Sequence, residues 1–241
     1  PVAVGAAFEG ESVRKEQMYV QFGGKFSTAM EFLRAKDLDE VEDGKIQVIG
    51  PEVDEAEEDG AMPLGIIIEV AGRKMQKDFE PILERQIHRF TNYAMGIWHM
   101  GQRDMTWVRI SKDAYNAGFK IRHFGELLRY KYLDEFGMLV DKVEVTIYTI
   151  EDEILKTLPQ ARVVWDERDA RLAGMTDESV DTFYSCTLCQ AYAPNHVCII
   201  SPERLGLCGA YSWLDGKAFY EINPAGPNQP VRKGELLDPV K

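Results

Sequence analysis

Four cysteines, Cys186, Cys189, Cys198 and Cys208, are the only thiols among 241 residues, and they fall within 23 positions. A cysteine buried for packing needs no companions, whereas a thiolate-bound metal centre needs several together. Their spacing is C-x2-C-x8-C-x9-C. The first pair is close enough for one turn of chain to present both sulfurs to one centre, and the fold must bring in the other two. Structural zinc sites usually use two close pairs, and the second pair here is too widely spaced for that pattern. Iron–sulfur clusters also take four thiolates and tolerate unequal spacing, because each cysteine holds a different iron corner. Spacing alone therefore leaves an iron–sulfur cluster, zinc or no metal open, in that order. His196, two residues before Cys198, could replace one ligand, donate a hydrogen bond or simply pack. Gly206 and Gly209 flank Cys208, and Pro194 follows the first pair. Ordinary loop punctuation explains these as well as a cluster does.

The elements that must position the thiols are read from periodicity. "EQMYVQFGG" alternates and ends in glycines, "KIQVIG" is short, and "PLGIIIEVAG" is an apolar run between Pro and Gly; each predicts a strand. Met75, Phe79, Ile82, Leu83, Ile87, Phe90, Ala94 and Ile97 recur at helical steps and predict one long helix, with Pro81 in its first turn. "MTWVRIS" reads as a strand and "HFGELLRYKYLDEFG" as a helix closed by Gly137. "KVEVTIYTI" is a strand with Val143, Val145, Ile147 and Thr149 on one face, and "EDEILKTLP" a short helix stopped before Pro159. Without regular alternation of strand and helix the class is α+β, a mixed-sheet domain with packed helices followed by a small cysteine-bearing segment, an iron–sulfur segment if the thiols hold a cluster. Beyond Pro159 the chain is charged, then rich in Cys, Pro, Gly and Asn, with little core expected, so a metal centre could organise it. The expected domains are 1–158 and 159–241.

Composition limits the functions. Forty Asp and Glu against 28 Lys and Arg give a net charge of −12, which argues against general binding of nucleic acid. The acidic runs "KDLDEVEDGK" and "PEVDEAEEDGAMP" read as solvated loops. From Arg73 to Lys131, however, twelve Lys and Arg face six Asp and Glu, a candidate anion site or a solvated, ion-paired face. No run is apolar enough for a membrane span, and "PVAVGAAFEGESVRKEQ" lacks a signal-peptide layout. A reducing cytoplasm, in which thiols favour metal over disulfides, is the expected location. The missing initiator Met suggests a processed or excised piece. Neither a Walker loop nor a G-x-G-x-x-G occurs, so NTPase and dinucleotide readings have no support.

"FYSCTLCQAYAPNHVCIISPERLGLCGAYSWLDGKAFYEINPAGPNQP" resembles the metal-cluster segment of the acetyl-CoA synthase family of the carbon monoxide dehydrogenase complex. The likeness rests on the cysteine spacing with "APNHVC", "ERLGLCGA", "WLDGKA" and "GPNQP" in order. Upstream, "FEGE" with "VRKE", "FGG", "VEDG" and "IWHMGQRD" extend it over essentially the whole chain. The resemblance implies acyl transfer: acetyl-CoA made from CO, a methyl group delivered by a corrinoid iron–sulfur protein, and coenzyme A. Carbon monoxide dehydrogenase would be a partner and ferredoxin a further one. It implies a [4Fe–4S] cluster held by Cys186, Cys189, Cys198 and Cys208, with Cys189 bridging to a catalytic nickel. Tyr192 stands where the family often has Phe lining the approach to that nickel. The family holds a second nickel with a downstream Cys-Gly-Cys, which these residues lack, so a fragment unable to complete the site or turn over is expected. Coenzyme A is expected near Trp98, with Arg89, Arg103 and Arg109 as phosphate ligands and Arg122 and Arg129 following. The alternative is that Trp98 ends the helix stripe and packs, with the arginines in surface ion pairs. Alternatives of other classes are a one-cluster electron carrier or structural iron–sulfur module, and a zinc-stabilised interaction module.

Overall fold

A computed structural model describes residues 13–235. "FEGE" and the last six residues of the Pro- and Gly-rich tail lie outside the described residues. The chain forms two compact units, the first ending at Trp165 and the second beginning at Asp166.

The expected strands form: β1 (Met18–Gly23), β3 (Ile46–Ile49), β5 (Leu64–Ala71), β7 (Trp107–Ser111) and β8 (Lys142–Tyr148). They are joined by β2 (Ala29–Ala35), β4 (Gly60–Met62) and β6 (Ile97–Met100), which periodicity did not reveal. Two mixed sheets result, ordered β4-β1-β7-β6 and β2-β5-β8-β3. The first unit is α+β, since β5 runs parallel to β2 but antiparallel to β8.

Residue alternation sorts the second sheet into two faces. Val143, Val145 and Ile147 of β8 are fully buried and pair across β5 with Val70, Ile68 and Ile66. Helix α3 (Arg122–Phe136), ended at Gly137 as expected, covers this face. It lies close because residue 125 is glycine: a Cβ there would stand 2.6 Å from Ile46 Cγ2. The opposite face presents Met30, Phe32 and Ile67 to helix α4 (Glu151–Ala173). Before α3 in sequence lie α1 (Glu80–Thr91) and the five-residue α2 (Lys112–Asn116), capped by the Ser111 hydroxyl.

Two expectations are corrected. The apolar recurrence from Met75 to Ile97 is not one helix. Residues Lys77–Phe79 form a 3-10 turn, α1 has Pro81 in its first turn, and the helix stops at Thr91. Asn92 leaves the helix, and Gly96 at φ 75° turns the chain so that Ile97 enters β6. The helix at 151 does not stop before Pro159 but runs on to Ala173. Proline in a helix interior costs about 3 kcal/mol. Ile154, Leu158, Ala161 and Trp165 fall at helical steps of four, three and four, and all are buried against Phe32 and its neighbours. Burying each large apolar side chain returns about 1.5–3 kcal/mol, so the face outweighs the ring. Trp165 packs edge-on to Phe32 at 6.4 Å.

The second unit also has more core than its composition suggested. Its three-stranded sheet β10-β9-β11 comprises β9 (Thr182–Cys186), β10 (Cys198–Ile200) and β11 (Pro230–Arg232), with helix α5 (Trp213–Ile222) against it. Tyr184, Ile200, Trp213, Leu214 and Ala218 are buried. Among the described residues no helix is long and apolar enough to cross a membrane.

Pro159 is exposed, so replacing it removes no packing. Pro159→Ala should stabilise the chain by about 1–3 kcal/mol and raise its thermal midpoint, followed by circular dichroism. A lower midpoint would show that the proline is accommodated by a local geometry that alanine disrupts.

Candidate functional site

The cysteine segment is built around β9. Antiparallel pairing puts Cys198 directly opposite Cys186, so both side chains leave one face of the sheet as cross-strand neighbours. Cys189 sits between them in a short 3-10 turn, Leu188–Ala191, whose Cys189 carbonyl accepts from the N–H groups of Tyr192 and Ala193. The chain returns to β10 through Asn195 at φ 67°, a left-handed conformation that asparagine tolerates better than most residues. His196 Nε2 lies 3.2 Å from Cys198 Sγ. All four thiols are free; Cys186 is buried, Cys189 and Cys198 half-buried, and Cys208 exposed. Burial pushes the Cys186 thiol up, and the nearby thiols of Cys198 and Cys189 add to the rise, while the Leu188 backbone and the Asn228 side chain oppose it. Three sulfurs thus share one neighbourhood.

The motifs around the cysteines act as braces. On the far edge of β9, Ser185 N–H donates to Gln229 O at 2.8 Å and Gln229 N–H donates to Ser185 Oγ at 3.1 Å. Thr187 N–H reaches Pro227 O at 3.3 Å. Asn228, only 1% exposed, donates from Nδ2 to Ser185 O at 3.0 Å and accepts from Tyr211 OH at 2.8 Å. Tyr211 O in turn accepts from Gly206 N–H, tying the turn that carries Cys208 to the same carboxamide that meets Cys186. "WLDGKA" seats α5. Ser212 and Asp215 form its capping box, Trp213 Nε1–H donates to Thr182 O at 2.8 Å, and Gly216 lets the helix approach β9. A Cβ on Gly216 would stand 2.6 Å from that of Tyr184. Tyr192 is 93% exposed.

The donor set fits a thiolate-bound cluster: four free thiols, three of them grouped at the end of β9 and the fourth tethered through Tyr211 and Asn228. Among the described residues, no three His, Cys, Asp or Glu side chains close on a point as ligands of one ion.

In the first unit Trp98 lies on β6 rather than at a helix end, directly paired with Arg109 of β7. Trp98 and Trp107 meet edge-to-face at 4.9 Å, and the Arg109 guanidinium stands 5.6 and 5.0 Å from the two rings. Its nitrogens donate to Gln21 Oε1 and Val13 O, each at 3.1 Å. Arg103, at φ 54°, pairs with Glu84, and its guanidinium is 5.7 Å from the Trp165 ring. Arg89 pairs with Glu135, Arg122 with Glu126 and Arg129 with Asp43. Of these arginines, Arg109 is the one that joins Trp98 among the described residues.

Two family models match the chain. That of the CO dehydrogenase/acetyl-CoA synthase complex beta subunit covers residues 1–154, and that of the C-terminal part of the ACS/CODH beta subunit covers residues 165–241. The chain belongs to the CO dehydrogenase/acetyl-CoA synthase complex beta subunit family. It is 55% identical over 241 residues to the carbon monoxide dehydrogenase/acetyl-CoA synthase subunit alpha of Moorella thermoacetica, covering 100% of this chain and 33% of that protein. It is 46% identical over 239 residues to the acetyl-CoA decarbonylase/synthase complex subunit beta of Methanopyrus kandleri, covering 99% and 51%. Subunit beta 2 of the same complex from Methanosarcina thermophila is 42% identical over 238 residues, covering 99% and 50%. The chain thus spans a third to a half of the relatives' length.

Sequence reasoning assigned no role to Asn228 or Tyr211, although both lie in or beside quoted motifs; hydrogen bonds made 17 and 43 residues away leave no local periodicity. Asn228→Ala strands a buried carbonyl and frees the Cys208 turn. It should destabilise the second unit by about 1–3 kcal/mol in denaturant titration. Tyr211→Phe, which leaves Asn228 bound to Ser185, should cost less.

Proposed function

We propose that this chain is the part of an acetyl-CoA synthase that carries the cubane ligands and a coenzyme A platform, acting with a carbon monoxide dehydrogenase partner. The observation that carries this reading is the set of four free thiols gathered around β9 in a chain of this family. Cys186, Cys189, Cys198 and Cys208 would hold a [4Fe–4S] cluster. Cys189, on its own turn between the paired strands, would also bridge to nickel through a spare sulfur lone pair. When bound, such a centre supplies a soft, electron-rich metal at which CO and a methyl group combine. The residues around it have separate tasks. Ser185, Asn228 and Gln229 fix Cys186, and His196 offers Cys198 a hydrogen bond that lowers electron density on its sulfur.

Coenzyme A would rest its adenine on Trp98 and a phosphate on Arg109, whose guanidinium is already oriented by Gln21. Arg89 and Arg103 would have to exchange a carboxylate for a phosphate to join in. A corrinoid iron–sulfur protein as methyl donor, ferredoxin as electron partner and a cytoplasmic location belong to the same proposal. With all four cysteines on the cube, these residues leave no thiol for a second nickel. The isolated chain should hold nickel below stoichiometry and form no acetyl-CoA.

Iron, sulfide and nickel analysis of anaerobically purified chain tests the reading. About four iron and four sulfide per chain are expected, and each Cys→Ala change should remove most of both. One zinc bound by four sulfurs at about 2.3 Å would replace it with a zinc module. Coenzyme A should quench tryptophan fluorescence, less so in Trp98→Phe, and bind more weakly as salt rises. Trp107, Trp165 and Trp213 make the Trp98→Phe control necessary. Unchanged affinity in both Trp98→Phe and Arg109→Ala would move the platform elsewhere.

A further inference from the structure

The two indoles and Arg109 occupy one face of the first sheet, and the strand register sets them in rows. Gln21, Arg109 and Trp98 lie side by side across β1, β7 and β6, and Gly23, Trp107 and Met100 form the next row. Alternation turns the residues between, Phe22, Val108 and His99, to the opposite face, where all three are fully buried. There His99 Nε2 meets Glu31 Oε1. Asn92 holds the histidine's backbone: its Oδ1 accepts from His99 N–H at 2.9 Å, and its Nδ2 donates to His99 O at 3.2 Å. The strand that carries Trp98 is thereby fixed from beneath. The row of Trp107 runs into a glycine turn, with Gly23 at φ 69° and Gly24 at φ 79°. A Cβ on Gly24 would stand 3.0 Å from Gln21 Nε2 and 3.1 Å from Trp107 Cβ, so the turn is pressed against this face. Gly24 N–H donates to Thr106 O at 2.9 Å, and Gln21 Nε2 donates to Gly23 O at 3.3 Å. The other end of the Gln21 carboxamide accepts from Arg109 Nε at 3.1 Å. One buried glutamine thus holds both the arginine and the turn. The next two residues, Lys25 and Phe26, are exposed. Lys25 Nζ lies 4.8 Å from the centre of the Phe26 ring, and among the described residues no carboxylate pairs with it.

We propose that Lys25 is a second phosphate ligand of this face and that it recognises the 3′-phosphate on the ribose of coenzyme A. The proposal rests on the coenzyme A reading given above and names the part of the ligand that the turn selects. Charge is the first reason. Coenzyme A carries a diphosphate and a separate ribose phosphate, which a lone guanidinium does not balance. Arg89, Arg103, Arg122 and Arg129 are already paired with carboxylates. An ammonium held by a ring takes an anion without first breaking an ion pair. Spacing is the second reason. The turn begins one row beyond Arg109, and a two-residue step along a strand is about 7 Å. The two phosphorus atoms of a diphosphate share a bridging oxygen and stand closer together than that. Phosphates on different carbons of one ribose are held apart by the ring. Arg109, planar and forked, suits the diphosphate, whereas a lysine acts as a point charge and suits a terminal phosphate.

Calorimetric titration, done anaerobically, compares coenzyme A with dephospho-coenzyme A, which lacks only the 3′-phosphate. The unaltered chain should bind coenzyme A at least about tenfold tighter than the analogue, a difference of about 1.4 kcal/mol. Lys25→Ala should bring that ratio close to one through weaker binding of coenzyme A, with analogue affinity little changed. Lys25→Arg, which keeps the charge, should retain the preference. Lys25 is exposed, so both variants should fold. Lys74→Ala removes the same charge from another exposed position and should leave the ratio as it was. Loss of the preference in Lys74→Ala as well would show that net charge sets it, and the assignment to Lys25 falls. Equal binding of both ligands by the unaltered chain, or a ratio that survives Lys25→Ala, overturns the role of Lys25 and leaves the Trp98 platform standing. Binding of neither ligand removes the platform and Lys25 together.

Discussion

The geometry of the thiols depends on the fact that β9 is paired along both of its edges. On one side β10 sets Cys198 against Cys186; on the other, Gln229 and the residues before it take up the backbone of Ser185 and Thr187. A strand held on both sides cannot slip by one residue without turning every side chain to the wrong face. Cys186 is therefore fixed by the backbone pairing of the protein itself. The buried Asn228 carries that constraint outward by joining the strand to the turn of Cys208. Cys189 sits on a short 3-10 turn, where its carbonyl accepts from the N–H groups of Tyr192 and Ala193.

The basic stretch between Arg73 and Lys131 shows how little a count of charges says about a site. Most of its arginines are spent on carboxylates that the sequence places far away: Arg89 on Glu135, Arg129 on Asp43, Arg73 on Asp141. The Arg129 guanidinium beside Asp43 holds that carboxyl below its ordinary value. Arg109 differs because its neighbours are two indoles and two neutral oxygens. It stands in a partly desolvated, aromatic setting, where an added anion gains most.

What could be read from the sequence was local. The alternation in "KVEVTIYTI" and the apolar run in "PLGIIIEVAG" gave β8 and β5, because a two-residue period survives in any sheet. The cysteine cluster was visible because thiols are rare. The strand β2 was not, since "AMEFLRA" places Glu31 and Arg34 among apolar residues and reads as neither pattern. A carboxyl group stands there because Glu31 meets His99, 68 residues away, and only the fold shows this. The apolar recurrence over Met75 to Ile97 misled for a related reason: the core is contiguous across the end of α1 and the start of β6, so the stripe continues while the backbone conformation changes. Pro159 misled in the opposite sense, because a local penalty was outweighed by burial against a distant sheet.

The strand β6 lies at the margin of its sheet, where backbone groups would ordinarily be open to pairing with another molecule. At His99 they are not. The Asn92 carboxamide offers the strand one acceptor and one donor, as a neighbouring peptide group would, and so occupies the place of a fifth strand. With only four residues in β6 and its central backbone groups already satisfied, little template remains for edge-to-edge aggregation. The side chain that orients a buried histidine thus also makes that edge a poorer template for pairing.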